Sequence, residues 1–429
     1  MLKKLEKWKH KKNRKPLIIQ GARQVGKTWI MKEFGRKYYN KTIYINFDNN
    51  EVMKKVFEID FDISRIVSAL EIENGGKFDS DDTLIIFDEI QEAPKALTSL
   101  KYFYENAPQY AIVAAGSLLG VALHEGTSFP VGKVDFMQLY PMDFGEFILA
   151  LGEEELVNIL KNGYFELINA YSVRYIELLK KYYYVGGMPE AVQTYIDTKD
   201  FYEVREIQRN LLKYYEEDFS KHAPKEVVPR IMMVWNSIPA QLAKENRKFM
   251  YGSIRQGARA KDFELAIQWL EDAGLILKSY RVSKPDLPLI AYIEINSFKM
   301  FMLDVGLLTA KANLSAKVLL DGSRIFEEFK GALTEQYVAE QLKALDRELY
   351  YYSTENSSGE IDFILQQDLD CVPIEVKANE NLRAKSLKAF CNKYKSKYAI
   401  RTSMSNYRKE DWLINVPLYM LIYYLEDRL

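Results

Sequence analysis

The sequence predicts an α/β protein: a phosphate-binding parallel sheet, then a helical middle, then a second α/β domain. Three observations carry that expectation. Gly21-Ala22-Arg23-Gln24-Val25-Gly26-Lys27-Thr28 sits between the apolar stretch Leu17-Ile18-Ile19 and a helix-compatible run from Trp29. Thr83-Leu84-Ile85-Ile86-Phe87 runs without interruption into Asp88-Glu89. Past Ser297 the pattern returns to strands, in Gly359–Leu365 and Val372–Lys377.

The first segment has the spacing G-x-x-x-x-G-K-[ST]. Glycines at both ends let the backbone curl until successive N–H groups converge on phosphate oxygens, while the following helix turns its positive end toward the same anion. Lys27 is expected on the β- and γ-phosphates, and the Thr28 hydroxyl on Mg²⁺, a small ion that favours oxygen ligands. ATP with Mg²⁺ is the expected ligand pair.

An unbroken apolar run reads as a parallel strand buried on both faces. Carboxylates at its carboxyl end lie where open α/β sheets bind ligands. Asp88 is expected in the Mg²⁺ shell and Glu89 on the attacking water, both as parts of hydrolysis. Thr42–Asp48 reads as another strand, with Asn46 and Asp48 as weaker rim candidates. Ala111–Ala115 ends in Gly116-Ser117, and Ser117 reads equally as a γ-phosphate sensor or as a helix cap. Between Ile66 and Val173 there is no arginine, and Lys133 is the obvious cation after Ser117. A lysine lacks the forked geometry of guanidinium, so slow turnover, or a trigger from elsewhere, is expected.

Composition sets the outer limits. A chain of 429 residues implies two or three domains. The formal charge of −1 gives no global pull toward nucleic acid, so contact with DNA would need local patches. No run reaches the ~18 apolar residues of a membrane span, and the Lys-rich start lacks the apolar core of a signal peptide, so a cytoplasmic location without membrane contact is expected. Cys371 and Cys391, with His10, His124 and His222, offer neither a disulfide framework nor zinc spacing. Lys3–Lys15 holds eight Lys or Arg against Glu6, with Leu2, Leu5 and Trp8 at helical spacing. This reads as an amphipathic lead-in helix, with phosphate contact as the lesser alternative.

The expected boundaries are 1–150 for the nucleotide domain, 151–225 for a helical lid or connector, 226–296 for a winged-helix-like domain and 297–429 for the last domain. Tyr182–Glu190 contains Gly186-Gly187 and Pro189, a break between helices with no assigned chemistry. Ile231–Trp235, Pro239–Glu245, Asp262–Ala273 and Leu275–Leu277 suggest helix, turn, helix and ribbon. Arg247, Lys248, Arg255, Arg259 and Lys261 would offer DNA phosphates a cationic surface, though packing or protein contact is an equally ordinary use of such a module.

In the last domain, strand alternation puts Glu375 and Lys377 on one face, and a neighbouring strand would bring Asp362 beside them. Glu335, on the helical stretch Phe326–Leu345, is a further candidate ligand. Two acids and a lysine suit a second divalent metal that activates water against a phosphodiester. An acid-bearing helix followed by a hairpin with Asp and Glu-x-Lys is also the element order of restriction-endonuclease cores.

The phosphate loop, Phe87-Asp88-Glu89-Ile90-Gln91, Gly186-Gly187-Met188-Pro189-Glu190 and Phe301–Leu307 together resemble the prokaryotic AAA-type ATP-binding proteins with a C-terminal domain of unknown function. The resemblance spans nearly the whole chain. It implies an AAA-type P-loop NTPase core, a winged-helix middle and a restriction-endonuclease-like, PD-(D/E)XK-type end that retains Asp362, Glu375 and Lys377. Three functions are consistent with these residues: a slow Mg²⁺-dependent ATPase that signals to its distal domains, an ATP-gated DNA nuclease, and an ATP-controlled switch for a protein partner or self-association.

Overall fold

Alternation along five short strands builds the amino-terminal sheet. They are β1 (Leu17–Gln20), β2 (Lys41–Asn46), β3 (Thr83–Asp88), β4 (Ala111–Ala115) and β5 (Asp135–Gln138). All pair in parallel, in the order β2-β3-β4-β1-β5. Ile18, Ile85, Phe87, Ile112 and Ala114 point into one core, and Leu17, Ile19, Leu84, Ile86, Val113 and Ala115 into the other. That is why β3 and β4 read as unbroken apolar runs: both faces are covered. The helix Leu2–Lys9 buries Leu5 and Trp8 in the second core, and the Trp8 indole donates to Lys15 O at 2.9 Å. The lead-in helix is therefore a packing element.

The computed structural model describes residues 1–116, 129–244, 247–321, 327–354, 359–378 and 384–426. Contacts divide the chain into two units, Met1–Tyr140 with Asp272–Gly274, and Pro141–Glu271 with Leu275–Leu429.

The second unit opens with helices Phe144–Ala150, Glu154–Lys161, Phe165–Ala170, Ser172–Val185, Pro189–Thr198 and Phe201–His222. Its sheet has the order β12-β13-β11-β10-β9-β8-β6-β7. The strands are β6 (Ile276–Val282), β7 (Ile293–Met302), β8 (Leu349–Ser353), β9 (Glu360–Gln367), β10 (Asp370–Val376), β11 (Ala399–Ser403), β12 (Arg408–Lys409) and β13 (Leu413–Pro417).

Two expectations change here. Where a turn was expected after Trp235, one helix, Val228–Leu242, runs on through Pro239. Having no N–H, Pro239 forgoes the bond to the Trp235 carbonyl, and the helix continues past it to Leu242. The break expected at 296/297 falls inside β7, and β6 pairs in parallel with β8, so the ribbon β6–β7 belongs to the same sheet as the carboxyl-terminal strands.

The motifs Gly186-Gly187-Met188-Pro189-Glu190 and Phe301–Leu307 meet inside this unit. Asp304 caps the helix Val305–Lys311 through Leu307 N–H at 2.9 Å, and also accepts Gly187 N–H at 2.6 Å. Gly186 takes φ 73°, and a Cβ there would lie 2.3 Å from Asp304 Oδ1. Only glycine meets both conditions comfortably. Burial lifts the Asp304 carboxyl to about 6, with the backbone donors of Gly187, Leu307 and Gly306 pulling it back down.

Candidate nucleotide site and carboxylate cluster

The phosphate loop leaves β1 and enters the helix Lys27–Tyr38 through Gly26, which has the left-handed φ of 96°. No side chain caps that helix, so the first N–H groups are left facing the loop. Lys27 is 5% exposed, and its ammonium bonds Gly21 O at 2.8 Å and Ala22 O at 2.7 Å. Burial pushes this ammonium down to about 8, against the upward pull of Glu89 and Asp88.

The register Asn46–Asp88 sets β2 and β3 level at their carboxyl ends. Asp88 is buried, and its Oδ2 accepts the Thr28 hydroxyl at 2.6 Å and the Tyr44 hydroxyl at 2.9 Å. Glu89 follows in the left-handed region, φ 50° and ψ 45°, a costly conformation for a residue with a Cβ. Its carboxylate accepts Gln91 Nε2 at 2.7 Å. The loop, Lys27, Thr28, Asp88 and Glu89 thus lie together at the carboxyl ends of β1 and β3. Asn46 Oδ1 accepts Asp48 N–H, and Asp48 is exposed. Ser117 lies outside the described residues. Lys133 pairs with Glu105 at 2.9 Å, both partly exposed.

Tyr44 was not anticipated. Its signal was positional: it stands two residues before Asn46, on the same face of β2 as the strand runs toward the site.

In the second unit Glu335, Asp362, Glu375 and Lys377 also converge. The β9–β10 register pairs Phe363 with Ile374, which carries Asp362 level with Glu375. Val376 N–H donates to Asp362 Oδ2 at 2.7 Å, and Lys377 pairs with Glu375 at 3.0 Å. Three further residues join the cluster. Lys299, wholly buried on β7, lies 3.2 Å from Glu335, 2.5 Å from Glu360 and 3.9 Å from Asp362. Arg247 pairs with the other oxygen of Glu335. Burial raises the Glu375 carboxyl, against the opposing pull of Lys377. Among the described residues no group of three or more His, Cys, Asp or Glu side chains could hold a metal ion. The expected second metal is therefore unsupported, because cations already stand among the acids. Arg247 is likewise withdrawn from the expected phosphate-contacting surface, whereas Arg255, Arg259 and Lys261 are exposed.

The geometry of the first unit agrees with an independent comparison, in which residues 13–148 match the AAA domain family. They form an AAA-type P-loop domain. Two further families match, both domains of unknown function: DUF8612 over residues 176–318 and DUF4143 over 330–421. No curated protein sequence matches the chain. Similar solved structures include the Walker-type ATPase PABY2304 of Pyrococcus abyssi, at 17% identity and TM-score 0.46, covering 72% of this chain and 94% of that one. The Aeropyrum pernix ORC1 protein in complex with DNA gives 14% and 0.27, covering 73% and 91%. Cdc6p from Pyrobaculum aerophilum gives 12% and 0.26, covering 72% and 88%. All three scores are below 0.5. Among the described residues, no helix is long and apolar enough to cross a membrane.

Proposed function

We propose that the chain is a cytoplasmic, Mg²⁺-dependent ATPase of slow turnover whose nucleotide state is passed to its carboxyl-terminal segments. The observation that carries this is the 2.6 Å contact between Thr28 and Asp88 at the mouth of the phosphate loop. Two oxygen donors from separate elements meet where a small cation bridging to phosphates would be held. Mg²⁺ held there would neutralise charge on the β- and γ-phosphates.

The protein's own groups divide the remaining work. Backbone N–H groups of Gly21–Thr28 cradle the phosphates, and Lys27 exchanges its bonds to the loop carbonyls for bonds to phosphate. Glu89 orients water for in-line attack on the γ-phosphorus and draws off its proton, while Gln91 fixes the carboxylate's direction. The backbone strain at Glu89 supports this role, since such strain is retained where it aims a functional side chain. Ser117 is proposed as a sensor on sequence grounds alone. With Lys133 engaged by Glu105, no arginine among residues 67–173 is available for the transition state, which is the reason to expect slow turnover.

The carboxyl-terminal segment is proposed to have a restriction-endonuclease-like fold. Helix Glu327–Ala344, the strands β8, β9 and β10, the helix Lys385–Tyr394 and the strand β11 follow one another in the order that reading requires. Its proposed role is binding and response rather than cleavage.

Phosphate release from Mg·ATP, measured beside binding of a fluorescent ATP analogue, tests the ATPase. Lys27→Ala is expected to lose binding, and retention of wild-type affinity in that variant would remove the phosphate loop from the account.

A further inference from the structure

The restriction-endonuclease-like reading implies a divalent metal among Glu335, Asp362 and Glu375, and the residues present do not fit one. Both oxygens of Glu335 are committed, Oε1 to Arg247 and Oε2 to Lys299 at 3.2 Å. Asp362 Oδ2 is committed to Val376 N–H, and its Oδ1 faces Lys299 at 3.9 Å. Glu360, two residues before Asp362 and on the same face of β9, turns its Oε1 to the same ammonium at 2.5 Å. The place where a cation would draw these carboxylates together is already filled by a cation on the chain itself.

We infer that Lys299 is the resident cation of this cluster, and that it keeps divalent metal out.

Charge supports the assignment. Glu335, Glu360, Asp362 and Glu375 make four carboxylates, and Arg247, Lys299, Lys377 and Arg401 make four cations, Arg401 standing opposite Glu375 in the β10–β11 register. A buried ionic network is tolerable when it is paired and hydrogen-bonded. A divalent ion would bring two uncompensated positive charges into a balanced network. Lys299 cannot step aside cheaply, being wholly buried in mid-strand with its ammonium surrounded by acids. A lysine suits this place because it is a compact point charge with three donors, where arginine would need a planar fork. Glu375 Oε2 is buried and accepts no hydrogen bond, and it lies on the carboxylate that Lys377 pairs with. With Lys377 and the register partner Arg401 beside it, that oxygen already faces positive charge, which disfavours a divalent ion there.

The cluster thus braces the ribbon β6–β7, the helix Glu327–Ala344 and the hairpin β9–β10 without metal. This inference stands apart from the ATPase reading, since every residue in it belongs to the second unit.

The test is a Mn²⁺ titration of the nucleotide-free full chain, read by loss of the free Mn²⁺ paramagnetic resonance signal. Wild type, Asp362→Asn and Glu375→Gln should give the same isotherm. Lys299→Met, which removes the charge and keeps the bulk, should bind one more Mn²⁺ than wild type. A wild-type Mn²⁺ site that disappears in Asp362→Asn or Glu375→Gln overturns the inference. That comparison does not depend on whether Lys299→Met folds. A folded Lys299→Met that gains no site overturns it too.

Discussion

Raising the pH should weaken ATP binding before it harms the fold, and Lys27 is the reason. In the ligand-free protein burial holds its ammonium at about 8, below the ordinary value of 10.5. The triphosphate binds the charged form, and phosphate oxygens beside the ammonium pull its pKa back up. Between pH 7 and pH 9 the charged fraction of the free protein falls from about nine-tenths to about one-tenth, so affinity should fall ~10-fold across that window. Stability runs the other way. Below pH 8 the lysine is protonated in both folded and unfolded chains, and its burial costs on the order of 3 kcal/mol. Between pH 8 and 10.5 the unfolded chain retains the proton that the folded chain has lost, so this group's penalty is relieved as pH rises. The assay is anisotropy of a fluorescent ATP analogue at fixed Mg²⁺, with Lys27→Arg in parallel, because guanidinium stays charged throughout. Equal wild-type affinity at pH 7 and pH 9, or the same fall in Lys27→Arg, would refute the reasoning.

Other perturbations have equally defined outcomes. Tyr44→Phe removes one of the two hydroxyls on Asp88 Oδ2 and should weaken Mg²⁺-dependent nucleotide binding about 5- to 10-fold, roughly the worth of one such hydrogen bond. Binding measured in EDTA should not change; an equal loss with and without Mg²⁺ would mean that Tyr44 acts only through the fold. Asp304→Ala leaves the Gly187 and Leu307 N–H groups buried without their acceptor and should cost about 2–4 kcal/mol in urea unfolding. Gly186→Ala forces a Cβ into Asp304 at a left-handed φ and should cost at least about 2 kcal/mol, while a neutral result would show that the two signatures are not interlocked.

The nucleotide site was legible because its chemistry is local in sequence. An eight-residue loop supplies its phosphate-facing backbone with Lys27 and Thr28, and the strand that ends in Asp88-Glu89 announces itself by its unbroken apolar run. β5 was not legible: Asp135–Gln138 is four residues long, polar at both ends and mostly half-buried, so neither apolar continuity nor alternation marks it. The run of Val228–Leu242 past Trp235 was not legible either, because a proline such as Pro239 ordinarily ends a helix and here lies inside one. Lys299 carried a signal that went unused. A lysine inside Phe298-Lys299-Met300-Phe301-Met302 must find buried carboxylates, but the sequence does not say which. The partners come from β9 and from a helix, across separations that periodicity does not span. The Gly186-Gly187 and Asp304 motifs were visible as patterns, yet their meaning lay in a contact between them.

The most direct test of the central claim is steady-state phosphate release from Mg·ATP by wild type and Glu89→Gln, with nucleotide binding measured on the same samples. Slow turnover in wild type and a fall of about 10²–10⁴-fold in Glu89→Gln with binding retained are expected. Undiminished turnover in Glu89→Gln would contradict that claim.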